Sequence, residues 1–173
     1  MATSVVYASI FSAVLASLPA LNTHLVVFDT EVVDLSDQLN DPVEVLFGVQ
    51  LGGGTDINRA VGYCQQQVTR PQQTTLVLIT DLCEGGDKQA LLSRVAELLA
   101  AGVNLLVLLA LSDDGAPYFD RRLAAHFAAL GVPAFACTPD QFPALMGAAL
   151  GREDLHQWAA EHDIVVQRAE PDR

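Results

Sequence analysis

Apolar and polar positions along the chain follow two periods, and the switches between them mark the elements. Tyr7, Ile10, Phe11, Val14, Leu15 and Leu18 lie on one stripe of an amphipathic helix, with Ala and Ser on the other face. Residues 24–28 read as a short apolar strand, and residues 30–35 as a second one turned back through Asp29. Pro42 opens a short helical stretch over residues 42–49. Gly52-Gly53-Gly54 then frees the chain to turn tightly. Ile57, Val61, Cys64 and Val68 form the next helical stripe, which Pro71 ends.

The second half alternates strand and helix more regularly. Residues 76–80 are a continuous apolar run, the pattern of a strand buried on both faces. Asp87 is placed to cap the following helix, whose stripe is Leu91, Leu92, Val95, Leu98 and Leu99, and Gly102 stops it. Residues 105–111 form a second buried strand. Asp120 starts another helix, with Leu123, Phe127 and Leu130 inward and Gly131 at its end. Residues 132–137 form a third strand. Thr138-Pro139-Asp140-Gln141 reads as a capping box that opens a helix through Leu150, closed by Gly151. Residues 152–173 are polar, with a helical stretch over 154–161. The alternation predicts an α/β, Rossmann-like fold, a mostly parallel sheet with helices on both faces. Residues 1–151 form the domain and residues 152–173 a polar C-terminal extension.

Composition narrows the function. The 173 residues suit one domain with a full core, and 51% apolar content excludes disorder for most of the chain. Nine Lys+Arg against 21 Asp+Glu give a net charge of -12, which argues against non-specific binding to nucleic acid or anionic membrane. The balance fits a soluble acidic protein, or one that holds a divalent cation. Residues 5–18 have the look of a signal peptide, but the first basic residue is Arg59, so the basic leader segment is missing. No apolar run is long and uninterrupted enough to span a bilayer. Cys64, Cys83 and Cys137 form no C-x-x-C pair and read as small buried residues in a reducing compartment.

Sites in such sheets lie at the carboxyl ends of the strands. Polar residues gather there at residues 28–30, 80–82 and 112–115, and the segment Gly52-Gly53-Gly54-Thr55-Asp56-Ile57-Asn58 leads into a helix start. The glycine run is neither a phosphate loop, since no Gly-Lys-Ser/Thr follows, nor a dinucleotide fingerprint. It brings a hydroxyl, Thr55, and a carboxylate, Asp56, to a helix N-terminus, where simple capping by either residue is the competing explanation. Asp81 ends the buried strand at 76–80 and on its own reads as a loop-starting residue. Together Thr55 and Asp81 supply two oxygen ligands on adjacent loops, which suits Mg²⁺, a cation that takes oxygen ligands and keeps several waters.

GGGTDIN and LVLITD, in that order, resemble the von Willebrand factor A (VWA) domain, and DLCEGG resembles its bacterial CoxE-like branch. The resemblance covers roughly residues 1–150. It implies a metal-ion-dependent adhesion site built from D-x-S-x-S, a Thr loop and an Asp loop. Thr55 would then bind Mg²⁺ or Mn²⁺ directly, and Asp81 directly or through water. It further implies a non-enzymatic, cytoplasmic interaction module. A partner's acidic side chain completes the cation's shell, and relatives work beside AAA+ ATPases of the MoxR type. The family's first strand and D-x-S-x-S belong before the first helix, where this chain begins at Met1. The expectation is a start inside the domain, from an internal Met or a shortened gene model. The absent strand is central in the family's sheet, so residues 24–28 and 76–80 are expected to pair directly in the monomer. Borrowing residues 164–167 or a second molecule's strand is the alternative, and aggregation is expected in solution.

Other chemistry finds less support. Asp29, Asp81, Asp113 and Asp114 fall at strand ends and offer a second reading, a metal-dependent phosphohydrolase. No general-base His and no phosphate-clamping Lys or Arg lies on those loops. Glu153 and His156 are spaced as in di-iron bundles but lack the further ligands such sites need. His24, His126 and His162 have no metal-ligand spacing, and there is no G-x-S-x-G elbow for a serine hydrolase.

Overall fold

The computed structural model describes Leu15 and residues 18–39, 54–109, 119–136 and 141–166. The helix expected over 42–49, Gly52, Gly53, Asp113, Asp114 and Cys137 lie outside the described residues, as does most of the first helical stripe. Of that stripe, Leu15 is helical and packs half-buried against a core, while Leu18 lies past the helix and is 44% exposed.

Two sheets form. The strands β1 (Val26–Phe28) and β2 (Val32–Asp34) make an antiparallel hairpin, with Phe28 opposite Val32. Its turn is tied by Asp29, whose Oδ1 accepts from the Glu31 amide at 2.7 Å. The larger sheet has the order β3 (Thr75–Thr80), β4 (Asn104–Leu109), β5 (Ala134–Ala136) and β6 (Val165–Val166). The first three run parallel and β6 joins antiparallel at the edge. Five helices connect and cover these strands among the described residues: α1 (Ile57–Gln67), α2 (Lys88–Ala101), α3 (Arg121–Ala129), α4 (Phe142–Leu150) and α5 (Leu155–Glu161).

The two-residue period of β4 explains its unbroken apolar sequence. Leu105, Val107 and Leu109 point into a core shared with Ile57 and Val61 of α1, Val95 of α2 and Phe127 of α3. Leu106 and Leu108 point the other way, to Leu145 of α4, Trp158 of α5 and Ile164. Alternate side chains leave a strand on opposite faces, so a strand covered by helices on both must be apolar throughout. The expected α/β architecture is therefore the one observed. Residues set apart as a polar extension contribute Leu155, Trp158, Ala159 and Ile164 to the second core, so the packed fold continues past Gly151.

Helix ends follow their capping residues. Asp87 Oδ1 accepts from the amides of Gln89 and Ala90, and α2 stops where Gly102 takes φ +98°, a left-handed conformation that glycine adopts without a Cβ penalty. Three details differ from expectation. Leu130 is not inward: α3 ends at Ala129, leaving Leu130 at its C-cap, 38% exposed. At α4 the described start is Phe142, with Pro143 in the first turn, and Gln141 at the N-cap makes no side-chain capping bond. Thr138, Pro139 and Asp140 lie outside the described residues.

The third correction concerns the hairpin. Among the described residues β1 does not pair with β3, and Val165–Val166 extends the opposite edge of the sheet at β5. The hairpin is bound to α1 instead. The Asp56 amide donates to the Asp29 carbonyl at 2.8 Å, Arg59 donates to the Thr30 carbonyl at 2.7 Å, and the Tyr63 hydroxyl donates to Asp34 Oδ2 at 2.7 Å. Direct pairing with β3 would pull the hairpin off these partners. No helix among the described residues is long and apolar enough to cross a membrane.

Candidate metal centre

The carboxyl end of β3 carries Asp81, one of the two expected donors. Thr80 is buried, and its Oγ1 accepts from the Leu82 amide at 3.1 Å. Asp81 follows, half-buried, with Oδ1 accepting from the Cys83 amide at 2.9 Å. Leu82 then takes φ +59°, unusual for a branched residue, and its side chain is fully buried in the core beneath. The chain thus turns sharply, leaving Asp81 at the strand end while its neighbour anchors the loop.

Thr55 comes to this loop from the other side. Its carbonyl accepts from the Gly85 amide at 2.7 Å, so the segment before α1 and the loop after β3 are joined through the backbone. Capping of α1 falls to Asp56, whose Oδ1 accepts from the Arg59 amide at 2.8 Å. The Thr55 hydroxyl has no hydrogen-bond partner among the described residues. Of the two residues that could have capped this helix, Asp56 takes the cap and the Thr55 hydroxyl does not. Two further segments join the same end of the sheet: the Asp29 carbonyl through the Asp56 amide, and Asp120, whose amide donates to the Asp81 carbonyl at 3.0 Å.

Asp120 also caps α3 and pairs with Lys88 at 2.6 Å. Burial by itself would raise the Asp120 carboxyl, but the Lys88 ammonium and the amides of Leu123 and Arg122 outweigh it and hold it below the ordinary value. A carboxyl depressed in the folded state stabilises above its unfolded pKa, and that stability is lost as pH falls through the folded one. Asp120→Asn keeps a capping oxygen and removes the charge. Because Lys88 is half exposed, it should cost less than about 1 kcal/mol at neutral pH in urea unfolding. The difference from the unsubstituted chain should vanish as pH falls through the depressed folded-state value of Asp120, below the ordinary aspartate range. A pH-independent difference would contradict this account of the pair.

The two described thiols, Cys83 beside Asp81 and Cys64 on α1, stay protonated at neutral pH. Burial raises the Cys83 thiol, with the Asp81 and Asp120 carboxylates adding to it, and burial pushes Cys64 to about 11. The remaining candidates are engaged elsewhere. His126 Nδ1 donates to the Arg122 carbonyl and His162 Nδ1 to the Trp158 carbonyl, and the His162 ring stacks on Trp158 at 4.2 Å. Asn22 donates to His24 Nε2, and Asp154 beside Glu153 caps α5. No group of three or more His, Cys, Asp or Glu among the described residues is arranged to hold a metal. At the Thr55 and Asp81 loops the donors are hard oxygens, one charged and one neutral, which fits Mg²⁺ or Mn²⁺ in kind. Two such donors leave most of an octahedral shell to water or to other chain.

The whole stretch containing both loops matches a family model, that of the VWA domain containing CoxE-like protein, over residues 1–146. The chain belongs to this family. It is also 40% identical over 141 residues to the uncharacterized protein YehP of Escherichia coli (strain K12), a match covering 82% of this chain. The matched part is 37% of that relative's length, so the chain spans well under half of it. In this VWA CoxE-like domain the segment of Thr55 is hydrogen-bonded to the loop that follows Asp81 through the Gly85 amide. Two contributors to this geometry, Leu82 and Glu84, were given no role in the sequence reading. The one visible signal is the Glu-Gly-Gly that follows Asp81 by three residues, a carboxylate set beside two residues that permit close approach.

Proposed function

We propose that this chain is a non-enzymatic interaction module in which Thr55 and Asp81 hold a divalent cation, Mg²⁺ or Mn²⁺, at the carboxyl ends of the strands. The observation that carries the reading is the division of labour before α1. Asp56 caps the helix, while the Thr55 hydroxyl, without a partner among the described residues, sits on a backbone hydrogen-bonded to the loop of Asp81. A cation held there supplies a Lewis-acidic point that accepts a carboxylate from a partner protein. The charge of the chain supports this division. At a net charge of -12 the molecule repels an acidic partner, and a cation between the two carboxylates offsets that repulsion locally. The partner class we carry over from the family is an AAA+ ATPase of the MoxR type, in the cytoplasm.

The phosphohydrolase reading makes a different demand on the same residues. It needs a base and a cationic clamp facing Asp81, whereas Lys88, at the start of α2, is engaged by Asp120. With Mg²⁺ or Mn²⁺ present, the protein should not hydrolyse p-nitrophenyl phosphate. Metal-dependent turnover that disappears in Asp81→Ala would put the hydrolase ahead.

A further inference from the structure

The loop after β3 carries a carboxylate that the metal reading does not use. Glu84 is 9% exposed, and a carboxylate buried to that degree is costly unless its oxygens are hydrogen-bonded. Its two oxygens go to different places. Oε2 accepts from the Asn58 amide at 3.0 Å, one of the first-turn amides of α1 that lack a partner within the helix. Oε1 accepts from the Gly86 amide and closes the loop on itself. Between them lies Gly85, whose amide donates to the Thr55 carbonyl.

The two glycines are required by this approach. A Cβ on Gly85 would stand 2.9 Å from the Thr55 carbonyl oxygen. One on Gly86 would stand 2.7 Å from Glu84 Oε1 and 3.0 Å from Asp56 Oδ1. The first turn of α1 therefore receives two carboxylates, Asp56 from its own segment and Glu84 from the loop after the next strand. Capping needs only the first. The second ties the Thr55 segment to the Asp81 loop.

We propose that Glu84 is a positioning residue that holds Thr55 against the Asp81 loop, an inference that rests on the reading of these two as cation donors. Glu84 does not touch the cation. It fixes the relative placement of two donors that come from different elements, and its oxygens are occupied in doing so.

The test uses Glu84→Ala and the isosteric Glu84→Gln, with amide hydrogen exchange and Mn²⁺ as the probe. Glu84→Ala should speed exchange at Asn58 and Gly85 by about tenfold, while amides in the middle of α2 are unchanged. Mn²⁺ should then broaden the resonances of Thr55 less, relative to those of Asp81, than in the unsubstituted chain. Glu84→Gln keeps one acceptor oxygen and should fall between the two, which guards against misfolding of the alanine variant. Unchanged exchange at Asn58 and Gly85 would overturn the proposal. So would faster exchange with the ratio of Mn²⁺ broadening at Thr55 to that at Asp81 unchanged, because Glu84 would then be a structural residue only. Absence of broadening at both donors in the unsubstituted chain would refute the cation reading and the positioning role with it, while the exchange rates alone would still report whether the clamp exists.

Discussion

Replacing Leu82 with alanine should lower stability by about 2–5 kcal/mol, the largest single effect expected near the candidate site. The side chain is fully buried in the core shared by α1, α2 and α3, so truncation loses both transfer free energy and packing. Its backbone adds a second, opposite contribution. At φ +59° a residue with a Cβ is strained, by about 1–2 kcal/mol on the usual scale. Leu82→Gly loses the same packing but relieves that strain. Glycine should therefore be no more destabilising than alanine at this position, the reverse of the order in ordinary backbone. Urea unfolding of the two variants decides it. A cost well below about 1 kcal/mol for Leu82→Ala would mean that this side chain does not anchor the Asp81 loop.

Removing the Asp81 carboxylate should abolish cation binding, and removing the Thr55 hydroxyl should weaken it by less. A hard divalent cation gains most from a charged oxygen, and a neutral hydroxyl contributes less to the same shell. The unsubstituted chain should itself bind Mg²⁺ more weakly than micromolar, because two donors do not replace a full protein shell for a cation that gives up its waters reluctantly. Electron paramagnetic resonance of free Mn²⁺ measures this directly. Asp81→Ala should leave the free-ion signal undiminished and Thr55→Ala should diminish it partly. Equal losses in the two variants would contradict the assigned roles, and micromolar Mg²⁺ affinity in the unsubstituted chain would contradict the donor count.

Much of this arrangement was readable from residue types alone. The strand starting at 105 announces itself because burial on both faces forbids polar residues, whereas β3, with the same apolar pattern, is buried only at Leu78 and Thr80, and Asp87, Gly102 and Asp120 mark helix ends through local capping chemistry. Thr55 and Asp81 stand out in the sequence because each lies at a junction between such elements. What stayed hidden depends on contacts distant in sequence. Nothing local in Glu84 reveals that its carboxylate reaches an amide 26 residues away. The left-handed backbone of Leu82 is likewise invisible, since positive φ is signalled by glycine or asparagine and not by a leucine. The placement of the hairpin is hidden for the same reason. Its strand pattern shows what β1 can pair with, whereas its attachment to α1 rests on Arg59, Tyr63 and the Asp56 amide, three groups on another element.

The central claim is that one cation site joins Thr55 and Asp81, and a Mn²⁺ titration of the isotope-labelled chain followed by nuclear magnetic resonance tests it most directly. The account expects the resonances of Thr55, Asp81 and Leu82 to broaden first, and excess Mg²⁺ to restore them. Broadening that begins elsewhere, at Glu153 and Asp154 for example, or that spreads evenly over the acidic surface without sparing by Mg²⁺, would contradict it.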